Sequence, residues 1–223
     1  PVSEVRWFHS SEYIEINELL SWAIDASSRN RIAEVLIVDN EQAVVTYNIT
    51  SENPVGELSP PDDIDIGRIL NIFKTVKLER EGTIYSHSYF PSPQPWPFEQ
   101  IGIDWHGDRY LDDVTEEYMM GTGSLESQVF ADLIERGLHP RPGFKYGTKW
   151  RCYEKKIGTE HAPWLVSSPK NNLITWESAC LASRLASGVN KTWLQPLKID
   201  GVWKYIGIIR PPANSRWTNP IKK

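Results

Sequence analysis

One pattern occurs twice in this chain, and it limits the folds open to it. Ile16, Leu19, Leu20, Ala23, Ile24 and Ser27 recur at the i, i+3, i+4, i+7 spacing of a helix with one buried face. Asn30-Arg31 follows, then the apolar run Ala33 to Val38, a turn at Asn40-Glu41 and a partner run from Ala43 to Ile49, the pattern of an antiparallel hairpin. The same order returns near the other end. A helix from Trp176 to Ser187, with Thr175 as N-cap and Gly188 as stop, leads through Asn190-Lys191 into a strand over Val189 to Gln195, a turn at Asp200-Gly201 and a strand over Val202 to Ile209. Tyr47 and Tyr205 occupy the last strand of each copy. A helix followed by a hairpin must bury its stripe on the sheet, so the chain is predicted to be mixed α/β, a small mixed sheet with flanking helices, in which the first copy is a partial repeat of the second.

Between the copies the composition changes. Ser51 to Pro61 is rich in Ser, Asn, Pro and Gly and reads as a linker. An amphipathic helix is expected at Ile66 to Thr75, a strand or hairpin around Val76 to Tyr89, and helices at Asp112 to Met120 and Ser124 to Glu135, the last ended by Gly137 and Pro140. Pro91, Pro93, Pro95 and Pro97 alternate with other residues between Phe90 and Phe98, an ordered surface loop packed by Trp96. Lys149 to Glu154 and His161 to Val166 form a hairpin across Gly158. Three parts are expected: a partial pseudo-repeat at 1–55, an α+β N-terminal domain of the second unit at 62–136, and a C-terminal domain at 137–215.

With 223 residues, 40% of them apolar and 10 of them Trp, the chain can bury one large or two small cores. It has no apolar run of the length a membrane span requires, and the segment after Pro1 carries Glu4, Arg6 and His9 in place of a signal-peptide core. Pro1 stands where a Met would begin a chain, so a longer natural chain is expected. Cys152 and Cys180 lie in no CxxC pair and at no zinc-ligand spacing, which favours a reducing, cytoplasmic setting and leaves a bridge between them open. The net charge of -5 gives no overall support to nucleic-acid binding. Locally, however, Arg141, Lys145, Lys149, Arg151, Lys155 and Lys156 stand against Glu154 alone, either a basic binding surface or a solvated charged hairpin.

Glu135-Arg136-Gly137-Leu138-His139-Pro140-Arg141-Pro142-Gly143-Phe144-Lys145-Tyr146-Gly147 resembles the tyrosine motif of the tRNA-splicing endonucleases. Glu160-His161-Ala162 matches the histidine of that family. Ser183 to Thr192, with Arg184 and Lys191, matches its arginine and lysine. Any one residue alone has an ordinary structural explanation: a packed Tyr in a turn, a satisfied His, a solvated Lys. Three motifs in the family's order, over roughly 125–211, carry the resemblance, and the upstream copy looks like the pseudo-catalytic unit of archaeal types.

The resemblance implies a restriction-endonuclease-like catalytic domain that excises introns from precursor tRNA at bulge-helix-bulge sites. Cleavage would be metal-independent and without cofactor, giving 2',3'-cyclic phosphate and 5'-hydroxyl ends. It assigns Tyr146 as general base, His161 as general acid and Lys191 as the stabiliser of transition-state charge. Arg184, two helical turns before Lys191, and Arg210 would hold an unpaired base between them, with Lys145 and Arg141 nearby on the RNA. The family's acidic docking loop would fall at Asp39 and Glu41. Expected partners are precursor tRNA and a homodimer or larger assembly of related units, with a separate upstream fragment among the alternatives, and no membrane. His139 lies close enough in sequence to the tyrosine motif to contact RNA. The rivals are a non-catalytic RNA-binding or structural subunit of the same complex, and a metal-dependent nuclease built on Glu154 and Lys156.

Overall fold

A computed structural model of the protein describes residues 2–75, 88–91, 98–105, 108–121, 123–169 and 174–211. In chain order it contains β1 (Val2–His9), α1 (Ile16–Ser28), β2 (Arg31–Val38), β3 (Val44–Glu52) and α2 (Asp63–Thr75). Next come β4 (Ser88–Pro91), β5 (Ile103–Trp105), β6 (Asp108–Leu111), α3 (Asp113–Met120) and α4 (Leu125–Glu135). The chain ends with β7 (His139–Pro142), β8 (Trp150–Tyr153), β9 (Trp164–Val166), α5 (Trp176–Ser187), β10 (Thr192–Ile199) and β11 (Val202–Ile209). The protein is mixed α/β, as expected. Of the strand or hairpin predicted around Val76 to Tyr89, Ser88 and Tyr89 belong to β4, while 76–87 and the loop around Trp96 lie outside the described residues.

Two compact units divide the chain. One holds residues 1–54, 142–152 and 162–223; the other holds 55–141 and 153–161.

In the first unit the sheet runs β1-β2-β3-β11-β10-β9-β8. β1 lies parallel to β2 and β9 parallel to β10, while β2 with β3, and β10 with β11, form the two hairpins read from sequence. The hairpins meet through the antiparallel ladder of β3 and β11, with Tyr205 opposite Glu52 and Ile208 opposite Ile49. The order β1-β2-β3 is therefore mirrored by β9-β10-β11, and each copy is a strand, helix, strand, strand element. β1 was not legible as a strand, because Glu4, Arg6 and His9 interrupt its apolar positions; its parallel pairing with β2 is a tertiary fact.

Both helices pack on the same face of this sheet. Leu19, Leu20, Ala23 and Ala26 of α1 share one core with Trp176, Ala179 and Cys180 of α5, above Val35, Ile37, Tyr47, Ile49, Trp193, Ile206 and Ile208. Each fully buried large aliphatic side chain in such a core contributes about 1.5–3 kcal/mol. Thr175 caps α5, its hydroxyl accepting from Ser178 N at 3.3 Å, which fixes the start predicted for this helix. The end differs from expectation. Gly188 keeps a right-handed helical backbone, and the left-handed residue that turns the chain is Asn190, with φ of 55°. β10 consequently begins at Thr192 rather than Val189. Asn30 holds the same conformation after α1, with φ of 54°.

The second unit holds α2, α3, α4 and a small sheet in the order β4-β6-β5, with Ile69, Ile101, Leu111 and Met119 buried together. Asp112 and Ser124 cap α3 and α4, accepting from Thr115 N at 2.9 Å and Ser127 N at 3.1 Å. The segment read as a linker is strapped to this unit: Gly56 N donates to Arg136 O at 2.9 Å, Glu57 N to Glu154 O at 2.7 Å and Leu58 N to Gly137 O at 3.0 Å. A side chain on Gly56 would stand 2.2 Å from Gly137 O, so the approach requires glycine. Among the described residues no helix is long and apolar enough to cross a membrane.

Candidate active site

Tyr146 ends a one-turn 3-10 helix, Phe144–Tyr146, between two glycines. Gly143 N donates to Lys149 O at 2.9 Å, Tyr146 N to Gly143 O at 2.8 Å and Gly147 N to Phe144 O at 3.0 Å. A side chain at Gly143 would meet Thr148 Oγ1 at 2.5 Å, and Gly147 takes φ of 68°, so both glycines are dictated by the turn. The turn presses Tyr146, half-buried, against the core of the first unit.

Lys191 reaches the same place from the far side of the sequence. The left-handed Asn190 bends the chain after α5, so that Lys191 N donates to Ala186 O at 2.9 Å and Thr192 N to Pro163 O at 2.8 Å. The lysine ammonium then donates to the carbonyl of Ala162 and stands 5.6 Å from the centre of the Tyr146 ring. That is within cation-π range. An ammonium has three N–H donors, so the bond to Ala162 leaves two for another acceptor. His161 is the residue before Ala162 in the chain and is exposed.

Lys191 also lines a cleft of about 180 Å³ with Ser183, Ser187, Asn190, Thr192 and Arg210. Arg210 thus shares the lysine's surroundings. Arg184 is exposed on α5 and does not line that cleft; α5 ends at Ser187, so the helical spacing used to place it beside Lys191 does not extend that far. It does share with Arg210 an electrostatic influence on the buried Tyr47 phenol. Ser183, Ser187 and Asn190 were not singled out from sequence. The asparagine after each helix was the available signal, since Asn tolerates left-handed backbone better than most residues.

Lys145 is exposed on the 3-10 turn. Arg141 is half-buried in the other unit, its guanidinium donating to the carbonyls of Gly102 and Glu99. Asp39 accepts from Glu41 N and Ala43 N, both at 2.9 Å, so its carboxylate shapes the first hairpin turn, while Glu41 is exposed. His139 is 1% exposed, which removes it from any RNA-contacting surface. Burial, then the nearby Arg141 and Arg109, push its pKa down to about 3. Cys152 and Cys180 are free and buried, and burial raises both thiols, Cys180 to about 11. Lys156 pairs with Glu99 at 2.8 Å.

Comparison with known proteins covers the segment in which these residues lie. The family model of the tRNA intron endonuclease catalytic C-terminal domain matches residues 125–200, which include Tyr146, His161 and Lys191. The chain is 39% identical over 112 residues to a tRNA-splicing endonuclease of Thermoplasma volcanium, covering 49% of this chain and 38% of the relative. It is 35% identical over 128 residues to that of Picrophilus torridus, covering 57% and 43%. With the tRNA-splicing endonuclease of Methanococcoides burtonii it shares 24% identity over 223 residues, covering 87% of this chain and 63% of the relative. The chain therefore spans only part of the length of these relatives. Residues 125–200 are thus similar to the catalytic C-terminal domain of the tRNA intron endonucleases, and the relatives that the chain matches in part are tRNA-splicing endonucleases.

Proposed function

We propose that this protein cleaves precursor tRNA at intron boundaries of bulge-helix-bulge shape, by metal-independent transesterification. The observation that carries the reading is the Lys191 ammonium poised over the Tyr146 ring, inside the segment matched to the family's catalytic domain. The ribose 2'-OH gives its proton to Tyr146 and attacks phosphorus. The bond from phosphorus to the 5'-oxygen breaks, and His161 returns a proton to that leaving oxygen. Lys191, anchored by one N–H, offers its charge and remaining donors to the non-bridging oxygens, where negative charge accumulates. The products are a 2',3'-cyclic phosphate and a 5'-hydroxyl.

Arg184 and Arg210 hold an unpaired base, and Lys145 and Arg141 add positive charge along the RNA. In this reading the copy at 1–55 is a non-catalytic partner element, Asp39 and Glu41 dock a second unit, and the working assembly is a dimer or larger. Two free buried thiols are in keeping with a reducing, cytoplasmic setting. The test is incubation of a bulge-helix-bulge precursor tRNA with the protein in excess EDTA, followed by end-group analysis. Cyclic-phosphate ends formed at an undiminished rate are expected, and a His161→Ala variant should lose about a hundredfold or more in rate. Loss of cleavage in EDTA, or 3'-hydroxyl ends, would overturn the mechanism; binding without any cleavage would favour the RNA-binding subunit.

A further inference from the structure

The tyrosine turn carries a second aromatic whose position the proposed chemistry does not use. Phe144 is 87% exposed, more than any other large apolar side chain among the described residues. A 3-10 helix turns 120° per residue, so residues two apart point to different sides. Tyr146 is therefore turned into the core while Phe144 is turned out of it.

That exposure is built in. The backbone on both sides of Phe144 is tied by the Gly143–Lys149, Tyr146–Gly143, Gly147–Phe144 and Thr148–Gly143 hydrogen bonds, and Gly143 packs too closely on Thr148 and Trp150 for a side chain. A rigid turn holds a bare aromatic face in water, at the cost of the hydrophobic stabilisation that burial would bring. Its chain neighbour on the outer side is the exposed Lys145, and Lys149 follows four residues later. Apolar patches that dock proteins are contiguous and depleted in lysine. An aromatic ring flanked by cations is instead the composition that receives single-stranded nucleic acid, where the ring stacks a base and the cations meet phosphates.

We infer that Phe144 is a stacking platform for an unpaired nucleobase of the RNA beside the scissile phosphate, with Lys145 on the adjoining backbone. This rests on the RNA-cleavage reading above and deepens it. The platform reads no particular base, because every base offers a π face. It adds affinity and register for a strand whose reacting ribose lies at Tyr146, two residues away.

The experiment is single-turnover cleavage of a bulge-helix-bulge RNA by the wild type, Phe144→Ala, Phe144→Leu and Phe144→Trp, over a range of protein concentration. A parallel binding titration uses RNA carrying 2-aminopurine in the bulge. Phe144→Ala and Phe144→Leu should raise the half-saturating protein concentration about tenfold or more. Both should keep the rate at saturation within about twofold and should remove the fluorescence change of the bulge base. Phe144→Trp should restore both. Full function in Phe144→Leu would overturn base stacking in favour of a merely apolar contact, and unchanged binding in Phe144→Ala would overturn the inference outright. A drop in native mass in Phe144→Ala with RNA affinity per assembled particle unchanged would assign the ring to a protein interface and likewise overturn it. Because the wild type is assayed alongside, failure of the cleavage reading itself is seen as a wild type that does not cut.

Discussion

The two helix–hairpin copies share a backbone and differ in what their turns do with charge. In each, a left-handed asparagine follows the helix and hands the chain to a basic residue, Arg31 after Asn30 and Lys191 after Asn190. In the first copy that cation is answered. Glu4 on β1 lies 3.5 Å from the Arg31 guanidinium and 3.0 Å from that of Arg29, and accepts from Trp22 Nε1 at 3.2 Å. Against the opposing effect of desolvation, the bonds from Trp22 and Arg29 hold Glu4 below its ordinary pKa, so the carboxylate stays charged beside both arginines. In the second copy Lys191 is held by a neutral carbonyl, and among the described residues no carboxylate pairs with it. The same scaffold is self-neutralised on one side and leaves a cation facing a cleft on the other. On the proposed reading fold and chemistry are separable here: both copies build the sheet, and one would carry the reaction.

The largest expected effect falls on what the copies share. Trp176 of the second copy stacks on Phe8 of β1, ring centres 4.8 Å apart, and is 1% exposed. Trp176→Ala should cost about 3–5 kcal/mol in denaturant unfolding, whereas Trp7→Ala, 70% exposed on the same β1, should stay within about 0.5 kcal/mol. Next comes the tyrosine pair. Tyr146→Phe should slow cleavage about a hundredfold with an unchanged melting temperature. The first copy's Tyr47, whose hydroxyl donates to Cys180 O at 3.3 Å, should respond the opposite way, Tyr47→Phe costing about 1 kcal/mol of stability and no activity.

Acid should separate the copies from the rest of the molecule. The second copy contains no histidine and the first only His9, at the end of β1, whereas His139 is buried in the second unit with its pKa lowered to about 3. The unfolded chain binds a proton there more readily than the folded one, so stability present above about pH 6.5 is lost as pH falls toward 3. The slope is about 1.4 kcal/mol per pH unit. Denaturation from pH 7 to pH 5 should show this slope in the wild type and a flatter one in His139→Phe. A matched pair comes last. Asn30→Val and Asn190→Val each force a branched side chain into left-handed backbone, and each should cost about 1–2 kcal/mol. Only Asn190→Val should also slow cleavage, because only there does the turn aim Lys191.

Much of this architecture was legible from residues. α1, α5 and both hairpins follow from apolar periodicity, and Thr175, Asp112 and Ser124 announced the helix starts. What periodicity does not encode is which strand lies beside which. The β3–β11 ladder and the parallel seat of β1 are long-range pairings, invisible to a local pattern. The glycine stop after α5 misled for a local reason: Gly188 can take a left-handed turn, but the chain delays it to Asn190 so that Lys191 N can reach Ala186 O. Candidate chemistry was read from motif order alone. The approach of Lys191 to the Tyr146 ring needed the fold, as did the burial of His139 and the engagement of Arg141 with backbone carbonyls.

The claim that one copy acts while the other only supports it is tested most directly by single-turnover cleavage of a bulge-helix-bulge RNA by Lys191→Ala and Arg31→Ala, with RNA binding measured in parallel. Lys191→Ala should bind within about threefold of wild type and cut at least about a hundredfold more slowly, while Arg31→Ala should cut within about twofold of wild type. Equal rates for Lys191→Ala and wild type, or an equal loss in the two variants, would contradict it.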